Sequence, residues 1–118
     1  MKKQLRIKKS DEIELVMKKG FSKANRTFIV YKYKNVEVEA YRVAVSAPKK
    51  LGKAVVRNKV KRKIKAILQQ HPEWLQTGYD YFIVARPDVL EIDFLAATKQ
   101  LKHALSLFHL SKKKPLRS

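Results

Sequence analysis

The chain is predicted to fold as a small α/β (α+β) two-layer sandwich, a sheet covered by helices, in the order helix, strand, strand, helix, strand, helix. Runs rich in β-branched and aromatic residues mark three strands, at 26–34, 40–47 and 79–86, and apolar residues recur at helical spacing in three other segments. The length, 118 residues, suits one modest core and is too short for two. Hydrophobic residues make up 45% of the chain, the level of a globular protein despite 32% charged residues. A basic arm over 1–9, one domain over 10–110 and a basic mobile tail over 111–118 are expected.

The first helix starts at Ser10 or Asp11, either of which suits a cap, and Ile13, Val16 and Met17 fall at i, i+3 and i+4. Asp11, Glu12 and Glu14 near its start and Lys18 and Lys19 at its end match the helix dipole, and Gly20 stops it. In RTFIVYKYK, Phe28 and Val30 face one way and Ile29, Tyr31 and Tyr33 the other. Residues 36–39 either extend this strand or turn. The next strand alternates Tyr41, Val43 and Val45 against Ala40, Arg42 and Ala44, and Pro48 ends it. A second helix runs over residues 54–69, with Val56, Val60, Ile64 and Ile67 on one face. YDYFIVAR has a continuous apolar middle that predicts a central strand. Asp93 caps a last helix bearing Phe94, Ala97, Leu101, Leu105 and Phe108.

Charge is the main clue to function. The formal net charge is +18, which favours an extended anionic partner, nucleic acid before membrane. Between Glu39 and Glu73 there is no acid, while Arg42 and residues 49–65 supply ten cations. Arg57, Lys61 and Lys65 at i, i+4 and i+8 form a row with roughly 6 Å spacing, near that of successive phosphates. A merely solvated helix face usually mixes signs, and this one has no acid to mix.

Other chemistries lack their residues. There is no cysteine, hence no disulfide or thiolate, and His71, His103 and His109 are scattered, so no metal site is expected. Asp88, Glu91 and Asp93 sit beside a helix start and suit capping better than metal catalysis. Gly52 alone makes no phosphate loop. Tyr31, Tyr33 and Tyr41 could stack bases, although packing suits Tyr33 and Tyr41 better, and Trp74 reads as a core plug. No apolar run approaches the ~20 residues of a spanning helix or forms a signal peptide, so a cytoplasmic protein is expected.

The segment VAVSAPKKLGKAVVRNKVKRKIK resembles the signature of the ribonuclease P protein family of bacteria. A strand passes through Ser and a Lys pair into a helix carrying Arg-Asn and then Lys-Arg. RIKKSDEIELVMKKG with SKANRTFIVY, and YFIVAR, resemble two further blocks of that family, and the likeness runs over residues 5–110. It implies a basic helix entered through a left-handed crossover, against the general right-handed rule. It further implies an RNA subunit that carries the catalytic magnesium ions and cuts precursor tRNA at the mature 5′ end. The protein subunit would bind that RNA and hold the single-stranded 5′ leader, with no bound cofactor and no activity of its own.

Carried over by position, the resemblance assigns Arg57, Asn58, Lys59, Lys61, Arg62 and Lys65 to contact with the catalytic RNA. It assigns Ile13, Met17, Tyr31, Lys49, Lys50, Lys53 and Arg86 to a leader cleft between the first helix, the sheet and the basic helix. Ile13 and Met17 stand where the family usually has phenylalanine, and they pack against a base without stacking as a ring does. Pro48 replaces a usual serine, and Lys59 and Lys65 replace frequent arginines, keeping charge and losing bidentate geometry. The rival expectations are a ribosomal or general RNA-binding protein and a free-standing nuclease built on Asp88, Glu91 and Asp93.

Overall fold

In a computed structural model, described over residues 5–113 with side chains to Phe108, the chain forms a four-stranded sheet and three helices. The order is α1 (Ser10–Lys19), β1 (Phe21–Ala24), β2 (Phe28–Lys34), β3 (Tyr41–Ser46), α2 (Ala54–Gln70), β4 (Tyr79–Ala85) and α3 (Phe94–Lys113). The sheet runs β1-β2-β4-β3. β1 to β2 and β2 to β4 pair antiparallel, whereas β3 and β4 pair parallel, with α2 spanning the connection between them. YDYFIVA thus occupies an interior strand, the position its apolar middle predicts. Residues 36–39 turn rather than extend β2.

Strand alternation divides the apolar side chains between two faces. Phe28, Val30, Val43 and Ile83 pack with Val60, Ile64 and Ile67 of α2 and Leu101 and Leu105 of α3. On the other face Phe82 and Ala44 pack with Val16 of α1 and with Ile7, flanked by Ile13, Tyr31, Tyr33 and Val84. Helices therefore lie on both faces of the sheet, α1 alone on one. Fully buried Ile64 and Ile83 each contribute about 2 to 3 kcal/mol by burial. Truncating either to alanine would cost about 2 to 5 kcal/mol through the cavity left behind.

Several local expectations change. β1 is an added strand, short and largely exposed, whose FSKA lacks β-branched residues. Val56 and Phe94 lie in the first turns of their helices and are 36% and 41% exposed rather than buried with their helical faces. Neither Ser10 nor Asp11 caps α1, which has Lys9 at the N-cap and no side-chain cap; Asp11 instead accepts from the Glu12 amide. At the third helix the expected cap is present, Asp93 Oδ1 accepting from Ala96 N–H at 2.8 Å. Trp74 is half-buried against the core and stacks on His71, with centroids 4.1 Å apart.

The expected arm and tail are only partly within the described residues. Arg6 bridges to Val43 and the Ile7 amide donates to Val43 O at 3.0 Å, so this part of the arm lies along the outer edge of β3. α3 continues to Lys113, and residues 1–4 and 114–118 lie outside the description.

Gly20 sets the angle between α1 and the sheet. Its amide closes α1 on Val16 O, and a Cβ there would stand 2.5 Å from Val16 O and 2.6 Å from Lys32 O. Only glycine lets the chain turn this tightly into β1.

Candidate RNA interface

The basic helix divides by face. Val60, Ile64, Ile67 and Leu68 are buried, while Asn58, Lys59 and Arg62 are exposed and Lys61 and Lys65 half-buried at its flank. Its first turn contains no acid, and Lys53 stands at its N-cap. Cations at the positive end of a helix dipole oppose folding by about 0.3 to 1 kcal/mol each, a local conflict that an anionic ligand reverses.

Before the helix, Lys49 and Lys50 lie exposed on a single 3-10 turn (Lys49–Leu51) anchored by buried Leu51. Gly52 follows with φ +134°, a conformation that suits glycine and lets the chain swing from this turn into α2. The first member of the cationic row is tethered: Arg57 Nε donates to Ala47 O at 2.8 Å. Arg57 is therefore half-buried and joins α2 to the end of β3, whereas the sequence reading left its whole side chain to RNA.

A groove of about 350 Å³ runs beside α2. It is lined by Ile13 of α1, by Val43, Ala44 and Val45 of β3, by Lys61 and Lys65, and by residues 6–8 of the arm. The structure thus brings Lys61 and Lys65, assigned by sequence to one RNA contact, together with Ile13, assigned to the other. Met17 lies one turn along α1, 39% exposed. Tyr31 is half-buried on the face that α1 covers, its ring 5.9 Å from that of Phe82.

The same sheet face stays partly open through Ile29, Val84 and Ser46, cross-strand neighbours that the sequence reading did not include. Their signal was the alternation that placed Ile29 with Tyr31. Arg86 follows β4, exposed, with Nη1 donating to Asn25 O at 3.0 Å, so it belongs to the end of this face and not to the groove beside α2.

Of the ten cations between Glu39 and Glu73, Arg42 is already paired within the fold. Its Nε and Nη2 hold the two oxygens of Asp80 at 2.9 and 2.8 Å, and Nη1 reaches Glu12 of α1 at 3.2 Å. These hydrogen bonds, Asp80 first, raise the Arg42 pKa above its ordinary value. Asp80, 2% exposed, also accepts from Asn35 Nδ2 at 3.0 Å. Among the described residues no group of three or more His, Cys, Asp and Glu could hold a metal ion. No described helix is long and apolar enough to cross a membrane.

The small α+β domain presents an acid-free helix beside a groove lined by basic and aliphatic side chains, the kind of surface that polyanion-binding proteins use. The chain belongs to the ribonuclease P protein family, whose profile matches residues 1–109. It is 42% identical over 105 residues to the ribonuclease P protein component of Geobacillus kaustophilus, covering 89% of this chain and 87% of that one. With the component from Listeria innocua it shares 38% over 115 residues, 98% of this chain and 97% of the relative. The solved RNase P protein of Staphylococcus aureus superposes with a TM-score of 0.81 at 37% identity, covering 87% and 94% of the two chains. That of Thermotoga maritima gives 0.77 at 27% identity over 85% and 94%.

Proposed function

We propose that the chain is the protein subunit of ribonuclease P, binding the catalytic RNA and the 5′ leader of precursor tRNA to promote removal of the leader. The observation that carries this reading is the placement of the acid-free α2 beside the groove that Ile13, Lys61 and Lys65 share. Exposed Asn58, Lys59 and Arg62, with the free end of Arg57, supply phosphate contacts to the RNA subunit. Ile13, Met17, Tyr31, Ile29 and Val84 supply apolar and aromatic surface for unstacked leader bases, and exposed Lys49, Lys50, Lys53 and Arg86 supply charge for the leader phosphates. On this reading the magnesium ions that cleave belong to the RNA subunit, and this chain positions substrate and neutralises phosphates.

The test combines the purified protein with a bacterial ribonuclease P RNA at low magnesium and a precursor tRNA carrying a leader. Cleavage that needs both components supports the reading. Tight RNA binding without stimulation of a cognate RNA points instead to general RNA binding, and cleavage by the protein alone overturns the division of labour.

A further inference from the structure

We propose that Arg42, acting through Glu12, is a positioning residue that fixes the rotation of α1 and thereby the wall of the groove beside α2; its consequence for substrate rests on the leader reading above. Asp80 and Arg42 are paired neighbours on parallel β4 and β3, with side chains 3% and 20% exposed. Two hydrogen bonds, at 2.9 and 2.8 Å, hold the planar guanidinium against the carboxylate. Asn35 fixes that carboxylate from the loop after β2 at 3.0 Å. The remaining Nη1 is therefore aimed, and it meets Glu12 Oε2 at 3.2 Å.

Among the described residues this is the one side-chain hydrogen bond between α1 and the sheet. The other attachments of α1 are the apolar contacts of Val16 and Ile13 and the close passage of Gly20 at its far end. Apolar contact is non-directional, so burial of Val16 selects the side of α1 that faces the sheet while a directional hydrogen bond refines its rotation. Glu12 immediately precedes Ile13, so holding Glu12 decides how Ile13 faces Ala44, Lys61 and Lys65 across the groove. A cation of the acid-free stretch thus orients the surface that would receive RNA instead of contacting it.

The experiment uses Glu12→Ala, Arg42→Lys and the double variant. Glu12→Ala leaves the buried Arg42–Asp80 pair whole, so this variant keeps its fold and carries the test should Arg42→Lys not fold. Amide hydrogen exchange of α1 is measured in the free protein. In the reconstituted holoenzyme, affinity is compared for precursor tRNA and mature tRNA, and separately for the RNA subunit. Each single variant is expected to speed α1 exchange and to shrink the precursor-over-mature preference by about two- to fivefold. RNA-subunit affinity stays unchanged, and the double variant loses no more α1 protection or precursor preference than Arg42→Lys alone.

Additive effects in the double variant, unchanged α1 exchange, or a parallel fall in RNA-subunit affinity would each overturn the proposal. If wild type itself shows no preference for precursor, the leader reading fails, while α1 exchange still decides whether the clamp exists.

Discussion

Arg57 Nε and the carbonyl oxygen of Ala47 stand 2.8 Å apart, tying the first turn of the cationic helix to the end of strand β3. One side chain thus serves the fold through Nε and leaves its two terminal nitrogens for phosphate. Arg57→Ala is expected to lower stability by about 1 to 2 kcal/mol as well as RNA affinity, because a charge-assisted hydrogen bond is lost. Exposed Arg62→Ala should lower RNA affinity alone. Urea unfolding and a binding series in salt separate the two, each lost phosphate contact reducing the log-log slope by about 0.7 to 0.9.

Removing Arg42 outright would have a different scale from loosening Glu12. Arg42→Ala leaves the carboxylate of Asp80, 3% exposed, with Asn35 as its hydrogen-bond donor and no opposing charge. A buried pair broken from one side costs about 3 to 5 kcal/mol. Denaturant midpoints should show that loss, whereas Glu12→Ala should stay within about 1 kcal/mol of wild type.

Gly20→Ala is expected to destabilise by about 1 to 3 kcal/mol, since the new methyl meets two backbone oxygens that cannot move independently of α1 and β2. Thermal unfolding measures it, and a midpoint equal to wild type would show that the turn opens freely.

Alkaline pH should weaken the fold through Tyr81. Its hydroxyl is buried in the core and accepts from the Gln76 amide at 2.9 Å, and burial pushes its pKa up to about 12 from the usual 10. The folded state keeps a proton that the unfolded chain gives up, so this contribution is full below about pH 10 and is lost as pH rises to about 12. Tyr81→Phe should flatten the stability profile across that window while losing the hydrogen bond at all pH values. A profile unchanged by the substitution would assign the alkaline loss elsewhere.

Long periodic segments were legible from sequence, and contacts between distant positions were not. The apolar phases of β2, β3 and β4 and of α2 beyond Val56 follow from residue spacing because burial itself imposes the period. Strand β1 escaped because an exposed edge strand imposes no such pattern on FSKA. Val56 is more exposed than its spacing predicts because periodicity reports the face of a helix but not how far along that face the core extends.

The pairing of Arg42 was hidden for a different reason, since its partner lies 38 positions away and their meeting depends on the register of two parallel strands. A clue was present: each is a charged residue within a mostly apolar strand, and opposite charges there suggest one another. The site's cations were visible by composition, whereas the sharing of one groove by Ile13, Lys61 and Lys65 required the fold.

The bridge from Arg6 to Val43 has a further consequence for handling the protein. Sheet rims with unsatisfied amides template polymerisation, and here residues 6 and 7 shield the rim at β3 while the opposite rim is a four-residue strand interrupted by Lys23. Trimming the chain past Ile7 would free the backbone groups of Val43 in the middle of β3 and leave the edge of YRVAVS with no strand beside it, as a docking edge for a second molecule. A shortened form should therefore self-associate in a concentration-dependent way, and affinity tags are better placed upstream of an intact start than substituted for it.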